Sequence, residues 1–151
     1  MKKIFIATIC IFLSGLAGAQ VLNPIDWTLT SKRLTGNTWE VHLKANIEKG
    51  WHIYSQTTPD GGPVPTTIVF TKNPLFDLAG ATKEEGKLEQ RHEELFGVDV
   101  KQFSNSVDFV QVIKLKSPVK TSANIVVEYM VCNDRQCLPP ASKKFSIALN
   151  K

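Results

Sequence analysis

From residue 20 onward, apolar and polar residues alternate in short runs divided by turn residues. Residues 27–34 (WTLTSKRL) and 38–47 (TWEVHLKANI) both alternate with a period of two, as strands do when one face is buried. Gly36-Asn37 between them predicts an antiparallel hairpin. Glu48-Lys49-Gly50 forms a second turn, leading into residues 51–56 (WHIYSQ). Residues 59–65 (PDGGPVP) cannot join a ladder, because proline removes donors and a glycine pair favours bends. Residues 66–71, 106–115, 123–131 and 143–149 read as further strands. Between residues 73 and 102 the alternation fades. KEEGKLEQRHEEL (83–95) is helix-friendly in composition, but it has no apolar face wide enough to bury and Gly86 interrupts it. That segment is expected to be a solvated, adaptable loop with short strands at most. Frequent turns and no convincing helix predict an all-β fold, an immunoglobulin-like β-sandwich of about seven to nine strands.

The first residues change the compartment. MKK precedes the apolar run IFIATICIFLSGLAG, which ends at a small-x-small site, Ala17-Gly18-Ala19. Residues 1–19 therefore read as a secretory signal peptide, too short and too weakly flanked for a good spanning helix, and residues 20–151 as one domain. Cys10 lies within the apolar run and is expected to leave with it. No second long apolar run follows, so the exported mature protein is expected to be soluble, with no membrane span; it is also expected to be a monomer. Losing Lys2 and Lys3 from a formal charge of +4 leaves +2. With no basic run longer than two residues, that balance argues against nucleic-acid binding. No nucleophile–base pair, paired carboxylates or phosphate-binding glycine loop supports a hydrolase.

Two cysteines remain, Cys132 and Cys137, in VEYMVCNDRQCLPP (127–140). As a staple the pair is badly placed: closing a four-residue loop stabilises by about 2 kcal/mol, against nearly 5 for a loop of about 100 residues. As a metal clip it lacks ligands. A closed site needs four, and His42, His52 and His92 form no metal-ligand spacing. No metal or other cofactor is expected. The third use is exchange. A four-residue loop between two strands sets the cysteines opposite each other, where strand Cα atoms lie about 4.5 or 5.5 Å apart and bridges prefer about 5.5–6 Å. The polar loop Asn133-Asp134-Arg135-Gln136 leaves one sulfur reachable, Arg135 favours a thiolate, Asp134 opposes it, and Pro139-Pro140 keep the edge from pairing onward. Spacing alone leaves redox exchange and an inert exposed bridge as equal readings.

GWHIYSQ (50–56), EELFG (93–97) and VEYMVCNDRQCLPP, in this order, resemble the N-terminal periplasmic domain of the DsbD thiol:disulfide interchange family. The resemblance covers nearly the whole mature chain. It implies an immunoglobulin-like domain with a redox-active cysteine pair, in which Cys137 forms the mixed disulfide with a partner and Cys132 resolves it. It also implies a cap loop at Glu93, Glu94, Leu95, Phe96 and Gly97 that shields the sulfurs, with His52 and Tyr54 beside them. The bland alternative places Leu95 and Phe96 in the core. By the same resemblance the partners are thioredoxin-fold periplasmic proteins and a membrane thiol-disulfide reductase on a separate chain, serving disulfide correction or cytochrome c maturation. The domain is then the freestanding thiol-disulfide oxidoreductase component of that system. The loop between the cysteines is four residues here, where better-known members have five, and the lid aromatic's position falls on Leu95 with Phe96 next to it, either of which can shield the bond. A non-enzymatic β-sandwich binding module with a structural disulfide is the rival.

Overall fold

The computed structural model describes residues 22–149, and the leader expected at residues 1–19 lies outside them. Among these described residues, nine strands form two antiparallel sheets. Among the described residues no helix is long and apolar enough to cross a membrane. The strands β1 (Ile25–Arg33) and β2 (Thr38–Ile47) pair across the turn at Gly36, whose φ of +57° suits a residue without a Cβ. The long strand β6 (Val98–Leu115) pairs with β2 through residues 106–114 and with β3 (His52–Tyr54) through residues 102–104. The two-residue strand β8 (Val131–Cys132) adds to the far side of β3. The second sheet runs β4 (Thr67–Phe70), β7 (Thr121–Tyr129), β9 (Ala141–Leu149).

Alternation does the packing. Trp39, Val41, Leu43, Ala45 and Ile47 of β2 all point inward, where they join Phe109 and Ile113 of β6 and Ile125, Val127 and Tyr129 of β7. Full burial of each large apolar side chain contributes about 1.5–3 kcal/mol. Trp27 of β1 meets Tyr129 edge-on, with ring centroids 5.2 Å apart, and so bridges the two sheets.

Two expectations are corrected. The segment read as an adaptable loop is β5 (Phe76–Glu93), paired with β6 along its length, and the hairpin they form ends at residues 93–97. Nearly all β5 side chains between its ends are exposed. An edge strand held by its backbone ladder needs no apolar alternation, which is the signal the reading relied on. Second, residues 123–131 are not one strand. At Met130 the chain leaves the β4-β7-β9 sheet, and β8 joins the other sheet instead. After the second cysteine, Pro139-Pro140 lead back into β9. The cysteine hairpin thus belongs to one sheet and both its flanks to the other.

Candidate functional site: a disulfide hairpin at a sheet edge

Cys132 and Cys137 form a disulfide, with Cα atoms 4.0 Å apart, and face each other as an antiparallel bridge. Asn133 builds the turn between them. Its Oδ1 accepts the backbone N–H groups of Arg135 and Gln136, each at 2.9 Å, and its own N–H donates to the Gln136 carbonyl at 2.9 Å. Asparagine suits this role because its short side chain mimics a backbone turn. The Leu138 N–H donates to the Val131 carbonyl at 2.9 Å, so the second arm covers the edge of β8 before the prolines end the ladder. The edge expected to be open is therefore covered as far as Leu138. Asp134 is paired with Arg91 of β5 at 3.3 Å, an exposed contact worth little in energy.

The two sulfur-bearing residues differ. Cys132 is 0% exposed, whereas Cys137 is only partly buried. Tyr54, Val100 and Cys132 form a small cluster separate from the main core, with Val98, Met130 and Cys137 packed on it. None of Val98, Val100 and Met130 was singled out in the sequence. The alternation of Val98 and Val100 just after Gly97 is their signal in the sequence.

His52 is the cross-strand partner of Cys132. Two residues on, Tyr54 lies on the same face, and both side chains are buried. Tyr54 donates its hydroxyl proton to Glu93 Oε2 at 3.0 Å, while His52 Nε2 lies 3.2 Å from that oxygen and 3.1 Å from the Tyr54 hydroxyl. Burial lowers the His52 pKa below its ordinary value, against the opposing pull of Glu93. Burial, with the Glu93 hydrogen bond second, pushes Tyr54 well above the usual tyrosine range. Glu93 also shapes the turn after it: its carbonyl accepts the Phe96 N–H at 3.1 Å and the Gly97 N–H at 2.8 Å, and Gly97 adopts φ +66°. Beyond it Glu94 is exposed, Leu95 is 48% exposed and Phe96 36%. Neither of the last two joins the core. His42 and His92 lie elsewhere, hydrogen-bonded to Asp108 and Asp99.

Fold and site together define an immunoglobulin-like β-sandwich that carries a disulfide on an edge hairpin. Residues 20–149 match the family model "Thiol:disulfide interchange protein DsbD, N-terminal", and the chain belongs to that family. It is similar in fold to the reduced DsbD N-terminal domain of Neisseria meningitidis, at TM-score 0.56 and 17% identity, covering 87% of this chain and 92% of that one. It is also similar to the N-terminal periplasmic domain of ScsB from Proteus mirabilis, at TM-score 0.60 and 16% identity, covering 85% of this chain and 47% of that one. A third similar structure is the complex between the DsbD and PilB N-terminal domains of Neisseria meningitidis, at TM-score 0.52 and 16% identity, covering 84% of this chain and 87% of that one. No curated protein sequence matches the chain.

Proposed function

We propose that the domain is a periplasmic electron carrier, exchanging the Cys132–Cys137 disulfide with thiols of partner proteins. A membrane reductase or thioredoxin-like protein supplies the electrons, and thioredoxin-fold periplasmic proteins receive them. The observation that carries the reading is the asymmetry of the pair, on a hairpin at a sheet edge, within a chain of the DsbD N-terminal family. A donor thiolate attacks the reachable sulfur of Cys137, the S–S bond breaks, and Cys132 leaves as a thiolate and takes a proton. The donor's second thiol then attacks the mixed disulfide and frees Cys137. The donor is left oxidised, and both cysteines here are reduced by its two electrons. In the second half-cycle, the Cys137 thiolate attacks an oxidised partner's disulfide, and Cys132 displaces the partner in its reduced form.

Burial of Cys132 supports its role as the resolving residue, because only an intramolecular attack reaches it. The turn at residues 93–97 acts as a lid over the pair, with Leu95 and Phe96 as its apolar part. The complex of a related domain with a PilB domain supports direct docking of a protein partner, and the periplasmic ScsB domain supports the compartment. The leading test is the reduction potential, measured by equilibration in glutathione or thioredoxin buffers. A carrier lies above about −300 mV, and a value well below that marks an inert structural bridge and ends this reading. A Cys132→Ser variant is expected to trap the partner as a mixed disulfide through Cys137.

A further inference from the structure

Opening the disulfide leaves an electron pair on a buried sulfur. Cys132 is 0% exposed, and a thiolate in such surroundings is costly unless a proton or a cation meets it. One titratable side chain is placed to do so. His52 and Cys132 are direct partners across the β3–β8 pair, so both side chains leave the sheet on one face. Side chains paired in this way hold their Cβ atoms about 4.5–5.5 Å apart. The Nε2 of His52 is committed to the Glu93 carboxyl, at 3.2 Å, which leaves Nδ1 as the ring nitrogen for the sulfur.

The groups facing His52 come from β3, β5, β6 and the cysteine hairpin. Tyr54 of β3 stands edge-on to the imidazole, with ring centroids 5.3 Å apart. Glu93 and Arg91 act on it from β5, and Asp134 from the hairpin. On β6 its partner is Ser104, whose hydroxyl donates to Glu89 Oε2 of β5 at 3.1 Å. Burial is the largest influence and disfavours the imidazolium; Glu93 and Asp134 favour it, and Arg91 opposes it. His52 is therefore neutral at neutral pH. It gains a proton in mild acid, or when a thiolate forms beside it.

We propose that His52 is the proton donor to Cys132 when the disulfide opens, and that Glu93 holds the imidazole for that transfer. This rests on the exchange reading above. The imidazolium keeps its Nε2–H on the Glu93 carboxyl and presents its Nδ1–H to the sulfur. As a nucleophile bonds to Cys137 Sγ, the S–S bond breaks and its electron pair stays on Cys132 Sγ. The Nδ1 proton moves to that sulfur, and the neutral imidazole regains a proton from solvent. In the opposite direction, neutral His52 takes the Cys132 proton as that sulfur attacks a mixed disulfide at Cys137. Glu93 acts through His52, as a positioning residue, and does not itself meet the sulfur.

The test is the pH profile of the rate at which a water-soluble phosphine reduces the oxidised mature protein. Each rate is divided by that of a small peptide disulfide in the same buffer, which removes the titration of the phosphine. Phosphine reduction is irreversible, so the rate is measurable even where a low potential ends the carrier reading. The wild-type ratio is expected to rise about tenfold between about pH 8 and pH 5, with a solvent deuterium isotope effect on the acid limb. His52→Gln is expected to give a flat profile without that isotope effect, and His42→Gln, outside the site, the wild-type profile. Glu93→Gln removes a group that favours the imidazolium and is expected to move the rise to lower pH. It serves as the second variant where His52→Gln does not fold. A flat wild-type profile overturns the proposal without any variant. So does a rise that persists in His52→Gln, or one without an isotope effect, which marks acid loosening of the fold instead of proton transfer.

Discussion

Glu93 reaches His52 and Tyr54 from forty-one and thirty-nine residues away, and its burial makes this contact the most consequential polar one near the disulfide. The His52 pKa is lowered in the fold, chiefly by burial. The unfolded chain therefore takes up a proton near pH 6.5 that the folded protein resists. Stability is retained above that pH and falls as the pH drops through about 6.5. Exposed His92 is raised by its hydrogen bond to Asp99, so its contribution has the opposite sense: present at low pH, lost as the pH rises through its folded value. On moving from about pH 7 to about pH 5, the urea midpoint of the wild-type protein is expected to fall more than that of a His52→Gln variant. At this scale, side-chain chemistry was legible in part. The cysteine pair stood out by spacing, and His52 and Tyr54 share a face by strand parity alone. Their connection to Glu93 depends on strand register across the hairpin, which no local pattern in KEEGKLEQRHEEL encodes.

Among the elements, β5 departs most from expectation. It carries two register shifts against β6, one between Ala79 and Lys83 and one between Gly86 and Leu88. A Cβ on Gly86 would lie 3.1 Å from the Ser106 carbonyl oxygen and 3.2 Å from Phe103 Cδ1. The glycine that seemed to break a helix instead permits close approach of two strands. Gly86→Ala is expected to destabilise the protein by about 1–3 kcal/mol, as overpacking does, measured by urea unfolding. Strands with one buried face, such as β2, were legible to the residue, because burial of Val41, Leu43 and Ala45 demands alternation. The break at Met130 was not, since 123–131 alternates on both sides of the point where the chain changes sheets.

For the whole molecule, the disulfide closes too small a loop to hold the sandwich together. Replacing both cysteines with serine is expected to leave a folded domain that is about 2 kcal/mol less stable by urea unfolding. The core of Trp39, Phe109, Ile113, Ile125 and Tyr129 supplies the cohesion without the S–S bond, although Val131 and Leu138 of the hairpin's arms pack on it. In the proposed exchange, the bond can therefore open and close without unfolding the protein that carries it. Hydrophobic alternation, turn residues and the cysteine spacing determined the class of fold and the two cysteines that pair, because both follow from short-range constraints on backbone and burial. Tertiary structure alone decided that Cys132 is buried while Cys137 is only partly so, that Glu93 is drawn inward, and that Gly62 lies against Val98. Each of these depends on which strands become neighbours across long stretches of chain, and that is settled by the packing of two sheets rather than by any one segment.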